Sequence, residues 1–346
     1  MGLLFCYPFL MLPSALVMGG DFGYFDYPIR TLLFIPIVMG LRTKSNPLLV
    51  SRYYFLGGSF GCLGGACFSA YSLLHHPGVR VGLPITNPIP FGQVAATLSL
   101  IAFVSIFHCS RRWEKVVSVL GFFGGVFTIY ASGSFGAFLG GGFGLLITSF
   151  FVFKSRLSKF AVRSFAFLLL VSACLILPSA IVRFQNFFVE LNAYFDGSGM
   201  ATSLGARLIL WGISFREIIQ SPWFGIGPGH FMSALNQFCA VNRCTDAFSG
   251  FNHLHNQYFD SALNAGLIGL SGLLISLVSP AVLFYRQIAV TSGSAQCAAI
   301  VGLAVVVAAM GSMVSQPLYA HNISVISYIL TISVCWFLAF PASRQV

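Results

Sequence analysis

Apolar residues in this chain come in runs of about twenty, separated by short polar breaks, and that rhythm predicts membrane-spanning helices. A span needs about 20 apolar residues to cross the ~30 Å hydrocarbon layer. Ten segments qualify: 3–20, 28–41, 53–75, 89–108, 116–132, 134–153, 161–182, 257–283, 295–316 and 321–340. The second is short, fit to tilt little or to sit partly in the interface. The pattern predicts an all-α, polytopic transmembrane bundle, with residues 1–346 as a single integral-membrane domain. One long polar interval, residues 183–256, breaks the rhythm, and long loops are uncommon without a role. Inside it, residues 207–220 (RLILWGISFREIIQ) read as a short amphipathic helix whose apolar material is Leu208, Trp211, Ile218 and Ile219. Ser221-Pro222 ends that helix, and the Gly/Pro run to Gly229 makes a turn. Such a helix lies in the membrane interface with its tryptophan at headgroup depth.

Within the spans, glycines recur at intervals of four: Gly57, Gly61 and Gly65, then Gly121 and Gly125, then Gly136, Gly140 and Gly144. That spacing sets each series on one helix face, where neighbouring backbones can approach. GGGFG at 140–144 lies inside a span and lacks the Lys-Ser/Thr ending of a phosphate loop. GIGPG at 225–229 lacks the strand-turn-helix context of a dinucleotide fingerprint. Neither nucleotide reading holds.

Composition narrows the class. The chain is 57% hydrophobic and only 8% charged, against about 25% charged in ordinary soluble domains. The net charge of +10 does not point to nucleic acid, because no basic patch with interleaved aromatics accompanies it. Lys44, Lys115, Lys154 and Lys159, with Arg42, Arg52, Arg111, Arg112, Arg156 and Arg163, fall in alternate short loops. The positive-inside bias makes those loops cytoplasmic, puts both termini inside, and places the long loop outside. The outer side carries arginines without lysines: Arg30, Arg80, Arg183, Arg207, Arg216 and Arg243. Arginine grips phosphate bidentately, whereas lysine offers a point charge. Exclusion of lysine by topology accounts equally for any one of them. The start MGLLFC has no basic n-region and no A-x-A-like site follows, so residues 1–20 are not expected to be a cleaved signal.

The richest chemistry lies where the long loop meets the next span, at His255 and Asn256 in HNQYFDSALNAGLIG. A titratable imidazole near hydrocarbon is costly to keep and marks a functional site by default. Histidine titrates near neutrality, so it can take a proton at physiological pH. Arg207, on the interfacial helix, is suited to meet a lipid-linked phosphate and to neutralise charge growing on a leaving group. The rival reading of His255 is an interfacial histidine satisfied by a carbonyl. Asp260, four residues after Asn256, can share a polar face with that amide; it either lines a substrate pocket or is satisfied by water.

Taken together, Arg207-x3-Trp211, Ser221-Pro222, Gly225-x-Gly227-x-Gly229 and His255-Asn256-x9-Gly266-x2-Gly269 resemble the O-antigen ligase and polymerase superfamily. Upstream, Arg80-Val-Gly and TNPIPFGQ at 86–93 look like the ligases' segment entering the next span, so the resemblance runs over about residues 80–285. It implies an enzyme of the bacterial inner membrane whose active site faces the periplasm. The implied donor is an undecaprenyl-diphosphate glycan; the implied acceptor is lipid A–core or a lipid-linked glycan. No cofactor and no metal are implied. By resemblance His255 is the base, Arg207 the diphosphate clamp, and Asn256 orients the acceptor. Arg80, Arg216, Arg183 and Trp211 complete the expected substrate-binding set. O-antigen ligation to lipid A–core is the expected reaction, because TNPIPFGQ and the histidine motif look more ligase-like. Polymerisation of O-antigen or exopolysaccharide repeats is the alternative. A membrane transporter is a further one, although no repeat relates the halves.

Three points depart from the family pattern or leave choices open. Many members carry a Ser-Arg-Gly-type motif at the outer start of a middle span, and here Phe135 stands where that arginine would be. Arg80, Arg183 or Arg216 would then supply the second phosphate contact, with Arg80 preferred. Members often have about twelve spans, so a missing N-terminal pair or a start codon placed too late fits the ten found. Finally, Cys239 and Cys244 are the cysteines of the outer loop, and an oxidising compartment favours a disulfide between them. The rival is a zinc site of Cys239, Cys244, His253 and His255, which would consume the base.

Overall fold

The structure is a computed structural model that describes residues 2–84, 87–156, 182, 185–199, 202–242, 248 and 253–341. Among the described residues seven helices are long and apolar enough to cross a membrane: Phe22–Thr43, Pro88–His108, Arg112–Ser132, Phe135–Lys154, Gln257–Val290, Gly293–Ser312 and Asn322–Ala339. The protein is an all-α, multi-pass membrane bundle. The expected span at 161–182 lies outside the described residues except for Val182. The second expected span proves longer than its apolar core, because 3-10 turns at Phe22–Phe25 and Arg30–Leu33 continue it to 22 residues. The first is a shorter apolar helix, Gly2–Met18. The third is a 29-residue helix, Pro47–His75, whose serines and glycines dilute its hydropathy.

Two compact units make up the chain. The first contains Ile29–Ser158 and Ser276–Val346; the second contains Phe5–Pro28 and Lys159–Ile275. In the first unit, Gly293–Ser312 is buried nearly all round, from Ala298 through Val306, as expected of a helix without a polar face. Phe135–Arg156 lies against it along the glycine series. A Cβ on Gly140 would strike the Ala308 carbonyl oxygen, one on Gly144 would meet Leu100 and the Ala304 carbonyl, and one on Gly136 would meet Ser315 and Ser312. Ser312 Oγ also donates to Gly136 O at 3.0 Å. Gly121 and Gly125 likewise face Ser59, Cys62 and Ser99. The Gly57 series is a partial exception. Gly57 looks into open space, while its neighbour Gly58 takes the close contact with Ile101.

The second unit holds the long loop. Helix Ser203–Gln220 starts four residues earlier than its apolar pattern suggests, because Thr202 Oγ1 caps it by accepting from Gly205 N–H at 3.1 Å. Glu190 reinforces that end by accepting from Leu204 N–H at 2.7 Å. The buried face of the helix is Ala206, Leu210 and Ile213 rather than the expected Leu208, Trp211, Ile218 and Ile219. Those three residues follow the i, i+4, i+7 spacing and pack with Phe231, Leu235 and Cys239 of helix Phe231–Asn242, with Phe248, and with Leu254 and Leu263. Ile219 is exposed. Small Ala206 lets the helix seat closely, which a reading of large apolar residues alone passes over.

Candidate functional site

His255 stands in a short turn that enters helix Gln257–Val290. Its backbone has φ 52°, making it the one non-glycine among the described residues in the left-handed region. Histidine tolerates that region better than bulkier residues, yet such a conformation costs about 1–3 kcal/mol and persists only where the surroundings impose it. The surroundings are clear. On one side Asn256 caps the helix, its Oδ1 accepting from Tyr258 N–H at 2.9 Å and Phe259 N–H at 3.2 Å. On the other side Leu254 is fully buried, and its carbonyl accepts from Trp211 Nε1–H at 3.0 Å. The His253 ring lies beside that of His255, with centroids 4.3 Å apart.

Trp211 joins the two motifs. Besides holding the Leu254 carbonyl, its ring stacks on Phe259, 5.6 Å away and 12° from parallel. Arg207 precedes it by one turn, about 6 Å along the helix axis, on the same face. Burial pushes the Arg207 guanidinium down from its ordinary value, and the Glu190 carboxylate pulls it back up; arginine stays charged regardless. Arg216 is nine residues on, half a turn away at 100° per residue, and is exposed. The helix therefore presents Arg207 and Arg216 on opposite faces.

The glycine motifs have a shared physical role. Helix Gln257–Val290 is broken at Ala265 (φ −140°) and Gly266 (φ 61°, ψ −160°). In an unbroken helix Leu267 N–H would bond Leu263 O. Here Leu267 N–H donates to Pro222 O at 2.7 Å, and Leu263 O accepts from Ile226 N–H at 2.8 Å. The 221–229 loop thus inserts into the break and takes up the freed backbone groups, which burial requires. Asn264 O, the next freed acceptor, takes Ser14 Oγ–H at 2.9 Å. This closeness requires glycine on both sides. A Cβ on Gly225 would strike Leu263 O, and one on Gly266 would strike the Trp223 and Phe224 backbone. The loop's other face meets residues 19–21: Asp21 N–H donates to Pro228 O at 2.9 Å, and side chains at Gly227 or Gly229 would run into Gly19 or Asp21.

A polar network lies beneath the histidine turn. Asp260, 4% exposed, accepts from the Tyr24 hydroxyl. Asn264 Nδ2 donates to Tyr24 Oη at 3.0 Å and to Asp260 O at 2.7 Å, while its Oδ1 accepts from Gly229 N–H at 3.2 Å. Tyr7 Oη and Ser261 Oγ are 2.7 Å apart, and Gln257 Nε2 donates to both at 3.2 Å. Sequence reasoning missed Tyr7, Ser14 and Tyr24 as parts of this unit. They sit more than two hundred positions from their partners inside ordinary apolar runs, and only the isolated acid Asp260 gave any signal.

The remaining expected site residues are placed as follows. Arg80 belongs to the first unit, where its Nε donates to Ser132 O at 3.0 Å and its Nη2 to Gly133 O at 3.2 Å. It thus binds the carbonyl end of helix Arg112–Ser132, which favours a cation. That turn immediately precedes Phe135, which is exposed at the start of the next helix. Arg183, Arg243 and Cys244 lie outside the described residues. Cys239 is buried in the loop core, and no cluster of three or more His, Cys, Asp or Glu suited to a metal occurs among the described residues.

Residues 119–274 match the family model described as O-antigen ligase. A protein of Haemophilus influenzae described as uncharacterized is 25% identical over 336 residues, covering 93% of this chain and 81% of that one. The family match takes in the whole loop, both glycine motifs and the histidine turn; it begins after Arg80 and segment 86–93. Over residues 119–274, somewhat under half of its length, this chain is therefore similar to the O-antigen ligase family.

Proposed function

We propose that the protein transfers a glycan from undecaprenyl diphosphate to an acceptor hydroxyl at the periplasmic face of the bacterial inner membrane, with lipid A–core as acceptor. His255 removes the hydroxyl proton, the oxygen bonds to the anomeric carbon, and the bond from that carbon to the diphosphate breaks. Arg207 neutralises the charge left on the departing undecaprenyl diphosphate, the larger electrostatic contribution. The observation that carries this reading is the Trp211 indole bonded to Leu254 O, which ties the arginine helix to the histidine turn. Burial puts Arg207 in a place poor in water, where its charge is little screened, and a bound diphosphate would compete there with the Glu190 carboxylate. Asn256 commits its amide oxygen to the helix cap, so its contact with the acceptor falls to Nδ2. The lysine-rich alternate loops support a periplasmic site. Arg80 remains the proposed second phosphate contact, with a guanidinium at the turn before Phe135 in place of the family's arginine.

The test is transfer from purified undecaprenyl-diphosphate oligosaccharide to lipid A–core in the presence of chelator, comparing wild type with His255→Ala. Capped core from wild type, falling by about 10²–10⁴-fold in the variant, supports ligation with His255 as base. Retained transfer by the variant overturns the base assignment. Longer lipid-linked chains with donor alone, and no capped core, would make the protein a polymerase. Arg207→Lys is expected to lose most activity despite its charge, because the bidentate fork is gone.

A further inference from the structure

We propose that the first unit contains a buried hydration site, a cavity that takes up about two water molecules and binds them through Gln93 and Tyr328. Helix Pro88–His108 sets Gln93 and Thr97 four residues apart, and helix Asn322–Ala339 does the same with Ser324 and Tyr328. Each pair therefore shares a helix face. Both pairs line one cavity of about 30 Å³, which Ser312 borders from helix Gly293–Ser312. The small side chains of Ala308 and Ala309 on that third helix leave the room. All three helices are long and apolar enough to cross a membrane. Gln93 and Tyr328 stand about 8 and 9 Å in from the starts of their helices, at 1.5 Å per residue.

These two side chains bring hydrogen-bonding capacity that the protein does not meet. Gln93 is 8% exposed and Tyr328 4%, and neither Gln93 Nε2 nor Tyr328 Oη has a partner among the described residues. The other end of the Gln93 amide is taken, since its Oε1 accepts from Ser324 Oγ at 2.6 Å. Turning the amide over would exchange its oxygen and nitrogen and still leave one of them unmet. Neither hydrocarbon nor an apolar ligand satisfies such groups, and a buried one left unsatisfied is costly. Thr97 Oγ1 donates to Gln93 O at 3.2 Å and Ser312 Oγ to Gly136 O at 3.0 Å, but both hydroxyl oxygens keep lone pairs to accept with. Water in the cavity thus finds the polar partners, about two to four, that it needs. Size and charge exclude the rivals. A water occupies about 10–15 Å³ of such space, so the cavity is too small for a sugar ring. No charged side chain lines it to neutralise an ion. Gln93 ends the segment TNPIPFGQ, and its amide is thereby given to joining two helices rather than to substrate.

The experiment is hydroxyl-radical footprinting by X-ray radiolysis of the full chain in lipid nanodiscs, with melting temperatures, in wild type, Tyr328→Phe and the double variant Gln93→Leu/Tyr328→Phe. Radicals formed from bound water mark the side chains beside it, and Met313 lines the cavity while fully buried. Wild type should be labelled at Met313 but not at Phe103, which is equally buried in the same unit and does not line the cavity. The label at Met313 should be lost in the double variant, whose apolar side chains leave water too few partners. Tyr328→Phe should lower the melting temperature, because it takes a bonded hydroxyl from the water. An unlabelled Met313 in wild type means a dry cavity and overturns the proposal. Equal labelling of Phe103 overturns it as well, since local opening then accounts for both. A label that survives in the double variant overturns the role given to Gln93 and Tyr328. A higher melting temperature in Tyr328→Phe also counts against the site, because discarding an unmet hydroxyl stabilises a dry interior. Should the double variant fail to fold, Tyr328→Phe keeps the ring, removes one oxygen and decides by that sign.

Discussion

Glycine serves two opposite purposes in the two units. In the first, Gly136, Gly140 and Gly144 sit in ordinary helical conformation and let one intact helix lie on another, down to the carbonyls of Ala304 and Ala308. In the second, Gly225 and Gly266 take positive φ and let a loop enter a helix that has come apart. The first use removes a side chain from between two cylinders whose backbone bonds are already made. The second exchanges helical bonds for loop bonds, Leu267 N–H to Pro222 O and Ile226 N–H to Leu263 O. A packed helix pair needs only small residues. An inserted loop also needs donors and acceptors matched one by one, since unmatched backbone groups in a membrane cost several kcal/mol each. The histidine turn leads into the helix that carries the second kind of joint.

Substitutions that test this difference follow in order of expected effect. Gly266→Ala combines left-handed strain of about 1–2 kcal/mol with a Cβ placed on the Trp223 backbone. It should expel the 221–229 loop, destabilise the second unit beyond about 4 kcal/mol, and expose the loop to limited proteolysis. Survival of a protease-resistant loop would break the insertion argument. Gly140→Ala meets the Ala308 carbonyl but needs only a helix shift, so about 1–3 kcal/mol is expected, read as a lower melting temperature in detergent with loop proteolysis unchanged. Asn256→Ala removes the cap bonds to Tyr258 and Phe259 at about 1 kcal/mol. Asn256→Ser should recover most of that stability, and recovery of activity along with it would limit Asn256 to capping. Gly57→Ala, facing open space, should be neutral or stabilising by about 0.5–1 kcal/mol. A loss there would mean that the face is covered.

Much of the fold was readable because the bilayer imposes a length and a polarity on every span. Nine of the ten expected segments correspond to helices, and the tenth lies outside the described residues except for Val182. The loop helix was legible in kind but not in register. Periodicity counted bulky residues, whereas the buried face turns on Ala206, Leu210 and Ile213. Arg216 shows the same limit: charge and residue type made it a candidate, and nine residues of helical rotation put it opposite Arg207. Arg80 was legible as an outer arginine, but its bonds to Ser132 and Gly133 carbonyls depend on a turn fifty residues away.

The sequence by itself determined a polytopic helical membrane protein, one long polar interval between its apolar runs, and motifs that resemble those of the O-antigen ligase superfamily. Hydropathy, topogenic charge and short-range spacing are local quantities, and local quantities survive in a string of letters. Only the tertiary structure decided that Gly225 and Gly266 belong to one joint, that Trp211 holds the Leu254 carbonyl, and that Tyr24 and Ser14 bond to Asn264. Those pairings are hydrogen bonds between groups from about forty to two hundred and forty positions apart. Each exists because burial forbids a donor or acceptor to stand alone, and which partner answers that demand is set by the path of the chain in space.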